Sequence, residues 1–462
     1  MSQFDLVRSK SVAFLKKKYS ESYLQRFDYF KRLKQLEESQ YYSESDLYEL
    51  KYNRLIRLVH FCADNVPFYQ RIIKRNRINI QNVKDIEVFE NVFPIITKSE
   101  IQQNYNQFIS NKIQFPPINH NSTGGSTGNP LNFLQDRLYY CWKFADRLRH
   151  LKWCNWTPWD KIAYLWGSNK DFLNFKQNGI VGIKEILSNE MFLNSFHMDN
   201  QKILHFSKKI NKFKPKLIIG YANSLNLFAQ FLEQNKIDLT WKNFVIQSSA
   251  ETLTPHMRKQ IEKSFHAPVF NSYGSREISS IAHECRFHSG LHISEEIRHL
   301  EIINSNNEKS KKGKIVLTDL TNYVFPFLRY ENGDVGEFTS NQCKCGRNLK
   351  LLNKIYGRSS DFIQTPNGKI IHGEYFTHLF YNQDLIKNFQ VIQESINMIR
   401  INYSRIKNRE DNQLTKILQK IEYEIKNQID QQLVVEFFEI DEIDTSLSGK
   451  RRFVVSKIKI NF

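Results

Sequence analysis

Three apolar runs, Leu217-Ile-Ile-Gly220, Phe244-Val-Ile-Gln247 and Val269-Phe-Asn-Ser-Tyr-Gly274, follow one another along the chain at similar intervals. The segments between them, Leu225 to Gln234 and His256 to Phe265, read as helices, and Thr254-Pro255 is a start signal for the second. Strands that alternate with helices in this way are typical of an α/β domain with a largely parallel sheet. We therefore predict an α/β fold class.

Polar residues close each of these runs. They are Gly220-Tyr221, Ser248-Ser-Ala-Glu251 and Tyr273-Gly-Ser-Arg-Glu277. Ligands of open α/β sheets bind at the carboxyl ends of the strands. The three polar ends therefore predict a binding site along one edge of the sheet.

A loop rich in glycine and hydroxyl side chains precedes this region: Asn121-Ser-Thr-Gly-Gly-Ser-Thr-Gly-Asn-Pro130. Its glycines can adopt positive φ, and its N–H groups and hydroxyls can form a concave set of donors that suits phosphate oxygens. The loop lacks the G-x-x-x-x-G-K-[ST] pattern of a Walker-type loop. A flexible turn without a ligand is the alternative interpretation.

The composition indicates a large globular protein, because 40% of the 462 residues are hydrophobic and 13% are aromatic. No apolar run approaches the roughly 18 residues of a membrane span. The N-terminus, which contains Lys16-Lys-Lys18, has no apolar segment of the signal-peptide type. Six cysteines are too few for a disulfide scaffold. We expect a cytoplasmic protein.

The formal net charge of +18 admits three kinds of partner, namely nucleic acid, an anionic membrane surface and anionic small substrates. The basic residues are spread along the chain, and no zinc-finger, helix-turn-helix or RNP-type motif is present. The charge therefore favours a basic surface with anionic substrates, without a nucleic-acid partner. Peripheral attraction to an anionic membrane surface stays open.

Further elements follow from local signals. Residues 1–60 read as helices, and Thr97 with Glu100 forms a predicted capping box. Leu131-Asn-Phe-Leu134 reads as a strand and Asp136 to Lys152 as a helix. Near the C-terminus a predicted helix and four predicted strands indicate a small α+β domain. These are Leu414 to Gln428 and the runs that begin at Gln390, Met398, Gln432 and Phe453.

Five motifs occur in a fixed order. They are the loop 121–130, Tyr273-Gly-Ser-Arg-Glu277, Arg329-Tyr-Glu-Asn-Gly-Asp334, Gly357-Arg-Ser-Ser-Asp361 and Ser448-Gly-Lys450. In this order they resemble the adenylate-forming (acyl-AMP ligase) superfamily, and most closely its phenylacetate–CoA ligase branch with the CapK-like relatives from capsular-polysaccharide gene sets. The resemblance covers residues 50–455.

The resemblance implies an enzyme that activates a carboxylic acid with ATP, releases pyrophosphate and passes the acyl group to coenzyme A or another nucleophile, in polysaccharide biosynthesis in some relatives. It also implies an N-terminal adenylation domain, residues 1–356, and a swivelling C-terminal domain, residues 357–462. Two alternatives stay open. One is an acyl-protein synthetase that transfers the acyl group to a partner cysteine, and the other is a non-catalytic nucleotide-binding scaffold.

The nucleotide contacts are also implied by the resemblance. The β- and γ-phosphates of ATP would be held by Ser122, Thr123, Gly124, Gly125, Ser126, Thr127 and Gly128. Ser249, Ala250 and Glu251 match the segment beside adenine, and Tyr273 with Gly274 would adjoin the adenine ring. Many members carry Gly-Lys-Pro at the end of the loop, whereas this chain has Gly128-Asn-Pro130, so no lysine is present there.

The catalytic residues implied are Glu277 as a Mg²⁺ ligand, Lys450 at the carboxylate and α-phosphate, and Arg358 at the ribose or phosphate. Asp334 would accept hydrogen bonds from the ribose hydroxyls, and Asp361 would lie at the hinge. Structural alternatives are a turn cap for Asp334, a surface ion pair for Glu277 and a basic tail for Lys450. We expect Trp166, Phe196, Tyr221 and Asn223 to line the pocket for the acid.

Cysteine and histidine spacing suggests a structural zinc site. Cys285, Cys343 and Cys345, with either His288 or His292, would form a Cys₃His ligand set. The resemblance also implies such a site, because some members of the family carry one at matching places. The C-x-C spacing is tighter than usual, and thiols without a metal are the alternative.

Overall fold

The structure is a computed structural model that describes residues 29–123, 130–158, 160–166, 189–195, 198, 200–358, 362–372, 374–380, 383, 385–406, 411–443 and 453–458. Several predicted site residues lie outside these ranges. They are Gly124, Gly125, Ser126, Thr127, Gly128, Phe196, Asp361 and Lys450.

The chain divides into two compact units. The first comprises Met1–Glu301, Val316–Asn332 and Glu337–Lys354, and the second comprises Ile302–Ile315, Gly333–Gly336 and Ile355–Phe462.

Ten described helices belong to the first unit. In chain order they are α1 (Tyr29–Ser39), α2 (Glu44–Asn65), α3 (Pro67–Arg75), α4 (Ile86–Val92), α5 (Lys98–Gln103), α6 (Tyr105–Phe108), α7 (Arg137–Trp153), α8 (Asn200–Phe213), α9 (Ala222–Gln234) and α10 (Pro255–Phe265), with a 3₁₀ turn at Ile80–Asn82. The predicted capping box of Thr97 and Glu100 is confirmed at the start of α5. Among the described residues, no helix combines the length and the apolar character that a membrane crossing requires.

The first thirteen strands form a hairpin and one large sheet. They are β1 (Asn119–Ser122), β2 (Asn132–Gln135), β3 (Ile162–Trp166), β4 (Glu190–Asn194), β5 (Leu217–Tyr221), β6 (Val245–Ser249), β7 (Val269–Ser275), β8 (Ser279–Glu284), β9 (Leu291–Ile293), β10 (Arg298–Ile303), β11 (Lys312–Asp319), β12 (Tyr330–Thr339) and β13 (Leu351–Arg358). The sheet has the order β10-β11-β12-β13-β9-β8-β7-β6-β5-β3-β4. Strands β4, β3, β5, β6 and β7 are parallel, whereas β7, β8, β9 and β13 pair antiparallel. The predicted α/β class with a largely parallel sheet is confirmed.

Helices cover both faces of the parallel strands. Successive side chains of a strand point to opposite faces, and both faces of these strands carry apolar side chains that helices bury. Ala163 and Leu165 of β3 belong to a core that includes residues of α8, α9 and α10. Ile162 and Tyr164 of the same strand belong to a second core that includes Leu36 of α1 and residues of α7. The parallel strands are therefore the middle of three layers, and their carboxyl edge stays available for a site.

The described C-terminal part forms a small α+β arrangement. Its elements are β14 (Phe362–Gln364), β15 (Ile370–His372), α11 (Glu374–Phe380), β16 (Ile386–Ser395), β17 (Met398–Arg405), α12 (Asp411–Gln428), β18 (Val434–Glu439) and β19 (Val454–Ser456). Four of the strands form a sheet in the order β18-β17-β16-β19. The four predicted strands and the predicted helix of this region are confirmed, with Ile399, Ile401 and Ile425 in their common core.

A fully buried arginine fixes helix α7 in the first unit. The guanidinium of Arg149, which is 0% exposed, donates to Glu296 Oε1 at 2.5 Å and to Asp146 Oδ1 at 2.8 Å. It also donates to the carbonyl oxygen of Leu36 at 3.2 Å. Both carboxylates are themselves buried, so each charge depends on the others for compensation.

We predict that Arg149→Met lowers the free energy of unfolding of this unit by about 3–5 kcal/mol, because two buried carboxylates lose their counter-charge. Lys152→Met on the same helix is the matched control, since Lys152 is half-exposed and pairs with the surface residue Glu37; we expect a loss below about 1 kcal/mol. All six tryptophans lie between residues 142 and 241, so urea unfolding followed by tryptophan fluorescence reports this unit. Equal losses in the two variants would contradict the prediction.

Candidate functional site

The glycine-rich loop connects the two strands of a hairpin. Strands β1 and β2 pair antiparallel, with Ser122 opposite Asn132. Beyond this pair the N–H of Thr123 donates to the carbonyl oxygen of Leu131 at 2.9 Å, and the N–H of Leu131 donates to Thr123 Oγ1 at 2.8 Å. Ser122 and Thr123, which are half-buried, therefore close the base of the loop whose residues 124–129 lie outside the described part.

The polar ends of the parallel strands are adjacent, as the sequence predicted. Tyr221 of β5 lies opposite Ser249 of β6, and Ser249 lies opposite Ser272 of β7. Ala250, which follows β6, has a φ of 65°, in the left-handed region. The strand therefore ends in a bend at the segment assigned to adenine.

Glu251 has a structural contact at this edge. Its Oε2 accepts a hydrogen bond from the backbone N–H of Asn223 at 2.9 Å, in the first turn of α9. A carboxylate is favourable at the N-terminus of a helix, where N–H groups lack partners. Nearby, the rings of Trp166 and Tyr221 have centroids 4.3 Å apart, so two predicted wall residues of the acid pocket are in contact.

Glu277 and Tyr273 are each fixed by a residue of β12. Glu277 is only 4% exposed, and Tyr330 Oη donates to its Oε1 at 3.1 Å. Asn332 Nδ2 donates to Tyr273 Oη at 2.8 Å. Glu277 is therefore a buried, oriented carboxylate rather than the surface ion pair that was the alternative. Its oxygens are of the type that Mg²⁺ prefers.

Gly274 lies where only glycine fits. A Cβ at this position would be 2.5 Å from the carbonyl oxygen of Ser279, where β7 pairs with β8. Sequence reasoning did not assign Tyr330 or Asn332. Their alternate positions on a strand, which place them on one face, are the signal that could have identified them.

Asp334 and Arg358 form an ion pair within the second unit. Arg358 Nε lies 3.1 Å from Asp334 Oδ1, and the Asp334 side chain is 11% exposed whereas that of Arg358 is 47% exposed. Gly333 has a φ of 83°, and a Cβ there would approach Arg358 Nη1 to 3.1 Å. Asp334 is thus oriented by a guanidinium, which differs from the simple turn cap that was the alternative.

Three cysteines and one histidine form a compact cluster. The four ligand atoms of Cys285, His292, Cys343 and Cys345 lie within 4.8 Å of one another. Cys285 Sγ is 3.5 Å from Cys343 Sγ, and Cys345 Sγ is 3.3 Å from His292 Nε2. Sulfur ligands of a tetrahedral zinc, with Zn–S of about 2.3 Å, lie about 3.8 Å apart. The geometry and the donor set therefore fit a structural zinc ion.

The structure distinguishes the two candidate histidines. His288 Nδ1 lies 3.1 Å from Glu284 Oε2 and 3.4 Å from an Arg258 guanidinium nitrogen, outside the cluster. Burial lowers the pKa of His292 to about 4, which keeps its imidazole in the neutral form that binds metals. Burial and the neighbouring thiols raise the pKa of Cys285 to about 12, a shift that a bound dication would reverse.

Comparisons with known proteins give consistent results. The model of the CapK C-terminal domain family matches residues 363–457. Protein CapK of Staphylococcus aureus is 27% identical, over 98% of this chain and 96% of that protein. Phenylacetate-coenzyme A ligase of Thermus thermophilus is 23% identical, over 74% of this chain and 77% of that protein.

Solved structures share the fold. The crystal structure of 2-hydroxyisobutyryl-CoA ligase in the postadenylation state, in complex with R3-HIB-AMP, superposes with a TM-score of 0.68. The superposition covers 90% of this chain and 91% of that one, at 16% sequence identity. A structure from a study of fatty acyl-adenylate ligases from E. coli and L. pneumophila superposes with a TM-score of 0.53. The superposition covers 72% of this chain and 67% of that one, at 13% sequence identity.

We predict that the purified protein contains one zinc ion per chain, and that Cys343→Ser and His292→Ala lose it because three ligands hold the ion less tightly. His288→Ala and Cys62→Ser are the controls, since His288 contacts Glu284 and Cys62 is a buried thiol that does not belong to the cluster. Inductively coupled plasma mass spectrometry measures the metal content. Loss of zinc from His288→Ala but not from His292→Ala would contradict the ligand assignment.

Proposed function

Because the chain is an adenylate-forming ligase of the CapK-like branch, we propose that it activates a carboxylic acid with ATP to an acyl-adenylate and transfers the acyl group to a nucleophile. A carboxylate is a poor electrophile, and attachment of AMP supplies a good leaving group. The observation that carries the proposal is Glu277, a buried carboxylate whose Oε1 accepts a hydrogen bond from Tyr330 at the carboxyl edge of the sheet. Two functional domains, 1–356 and 357–462, are part of the proposal.

The hairpin is proposed to hold the β- and γ-phosphates through residues 122–128. Support comes from its closed base, where Thr123 and Leu131 are joined by two hydrogen bonds. A loop fixed at both ends loses less conformational freedom when its N–H groups converge on a phosphate. Magnesium would neutralise phosphate charge when bound, and Glu277 is the residue that would hold it.

Adenine is assigned to the edge formed by Ser249, Ala250 and Tyr273. The hydrogen bond from Asn332 fixes the Tyr273 ring, which supports a stacking role for this residue. Glu251 belongs to the same proposed adenine segment, and its contact with the N–H of Asn223 would hold it in position.

The second unit is proposed to supply charged groups. Asp334 would accept hydrogen bonds from the ribose hydroxyls, and Arg358 would contact the ribose or a phosphate. Lys450 would stabilise the negative charge that develops between the carboxylate and the α-phosphate. The assignment of Lys450 rests on the order of the motifs, since this residue lies outside the described ranges.

The acyl acceptor is proposed to be coenzyme A or an amine or thiol of another molecule. One relative is a phenylacetate-coenzyme A ligase, and one solved relative is a 2-hydroxyisobutyryl-CoA ligase in complex with 2-HIB-AMP and CoA. A role in capsule polysaccharide biosynthesis is proposed from the resemblance of the motif order to the CapK-like relatives of capsular-polysaccharide gene sets; Protein CapK is similar along nearly the whole chain. Once an acid is identified, incubation of the adenylate with coenzyme A, amino sugars and carrier-protein thiols distinguishes these acceptors by the mass of the product.

We predict acid-dependent exchange of labelled pyrophosphate into ATP, with a decrease of about 10²-fold or more in Lys450→Ala, the scale of losing one charge-stabilising group. Aryl, fatty and hydroxy acids form the panel. Lys457→Ala is the control, because Lys457 pairs with Glu394 on the surface, and it should exchange like the wild type. No exchange with any acid, together with no ATP binding by calorimetry, would refute the enzyme function.

We also predict that the wild type binds ATP more tightly than 2′-deoxy-ATP, and that Asp334→Asn reduces this preference about tenfold. The reason is that a hydrogen bond to a charged acceptor contributes about 1.5–3 kcal/mol, whereas one to the neutral amide oxygen of asparagine contributes about 0.5–1.5 kcal/mol. Isothermal titration calorimetry with the two nucleotides measures the preference. Glu331→Gln, on the same strand, should keep it; an unchanged preference in Asp334→Asn would place the ribose elsewhere.

A further inference from the structure

Gln135 is the last residue of β2, directly after the glycine-rich hairpin and directly before the N-terminal cap of α7. Its side chain is 0% exposed. A buried carboxamide is costly unless its donors and acceptors are satisfied, so its partners indicate what it holds in place.

The amide nitrogen of Gln135 contacts the segment that carries Glu277. Nε2 donates to the carbonyl oxygen of Arg276 at 3.1 Å and to that of Glu277 at 3.4 Å. Carbonyl oxygens only accept hydrogen bonds, so the nitrogen end of the carboxamide must face them. Both N–H donors are thereby used on the backbone of the segment proposed to hold Mg²⁺.

The oxygen of the same carboxamide contacts the hairpin and the helix. Oε1 accepts from Asn121 Nδ2 at 3.1 Å and from Tyr140 Oη at 3.2 Å. Asn121 lies on β1, at the start of the glycine-rich loop, and Tyr140 lies in the first turn of α7. One side chain therefore joins both strands of the hairpin, helix α7 and the Glu277 segment, with all four hydrogen-bonding positions occupied.

We propose that Gln135 is a positioning residue that couples the phosphate-binding hairpin to Glu277, so that nucleotide phosphate and Mg²⁺ bind cooperatively. The inference rests on the proposed function. Glu277 is held on two sides, since Gln135 fixes its backbone and Tyr330 fixes its carboxylate at 3.1 Å. A displacement of the hairpin on phosphate binding would reach the backbone of the metal-binding residue through this buried side chain.

The test is the ratio of the ATP Kd in EDTA to the ATP Kd in Mg²⁺, measured by isothermal titration calorimetry. Gln135→Met keeps the length and approximate volume of the side chain and removes its four hydrogen bonds. Gln135→Glu keeps the shape and the acceptor oxygens but loses the donors to the two carbonyls. Coupling between sites is commonly of the order of 5–150-fold, and we expect the ratio to fall about tenfold in both variants. The second variant keeps the test valid if the first fails to fold.

Gln247→Met is the matched control. Gln247 is a buried glutamine of β6 in the same sheet, and the same substitution there should leave the ratio unchanged. In the exchange assay the coupling predicts a rise in KM for MgATP, with an unchanged KM for the acid. A residue that only supports the fold would instead lower the melting temperature without a selective effect on the Mg²⁺ dependence.

The possible outcomes distinguish failure of the Gln135 coupling from failure of the proposed function. A wild-type ratio in Gln135→Met and Gln135→Glu, or a Kd that rises equally in EDTA and in Mg²⁺, overturns the coupling and leaves the proposed function intact. A wild-type protein that binds no ATP under either condition overturns both. A selective fall of the ratio in the Gln135 variants, with Gln247→Met at the wild-type value, supports the coupling.

Discussion

The buried ion pairs of Arg149 with Glu296 and Asp146 determine where helix α7 lies, and the candidate site depends on that helix. Each of the three side chains is at or near 0% exposure, so any movement that separates them leaves an uncompensated charge in the interior. Helix α7 can therefore neither slide nor rotate against its neighbours. Its first residue follows Asp136, and the strand that ends the glycine-rich hairpin comes directly before.

Asp136 fixes the other end of α7. Its Oδ1 accepts from the N–H of Tyr139 in the helix, and its Oδ2 accepts from the N–H groups of Tyr323 and Val324. Burial raises the pKa of Asp136 to about 6, and these three donors act against that increase by stabilising the carboxylate. Asn322 adds a link to β2, because its Nδ2 donates to the carbonyl oxygen of Leu134 at 2.8 Å. The hairpin is thus attached to a helix that is held at both ends.

Much of the fold was predictable because the signals are local. Alternating apolar runs predicted β5, β6 and β7, and polar residues at their ends predicted an edge where Tyr221, Ser249 and Ser272 are now neighbours. Local cap chemistry predicted the start of α5. The choice of His292 over His288 was not predictable, because it depends on which histidine the β8–β9 turn directs towards Cys345, and both have suitable spacing.

The orientation of the site residues was not predictable, because it depends on contacts between segments that are distant in the sequence. Tyr330 holds Glu277 across 53 residues of sequence, and Asn332 holds Tyr273 across 59. No periodicity or turn signal relates such pairs, since only the sheet brings β7 and β12 into the arrangement that joins them. The motifs identified Glu277 and Tyr273 by residue type, whereas their orientation is a property of the tertiary structure.

The two acidic residues assigned to the nucleotide differ in how firmly they are held. Glu277 is buried and bonded to a buried hydroxyl, so solvent does not compete for the contact. The pair of Asp334 with Arg358 is different, because the guanidinium is 47% exposed and water screens the attraction. A pair of this kind contributes at most about 1 kcal/mol, so ribose hydroxyls or a phosphate can replace one partner at little cost. If a nucleotide binds as proposed, we therefore expect Glu277 to keep its partner, whereas Asp334 and Arg358 can exchange theirs.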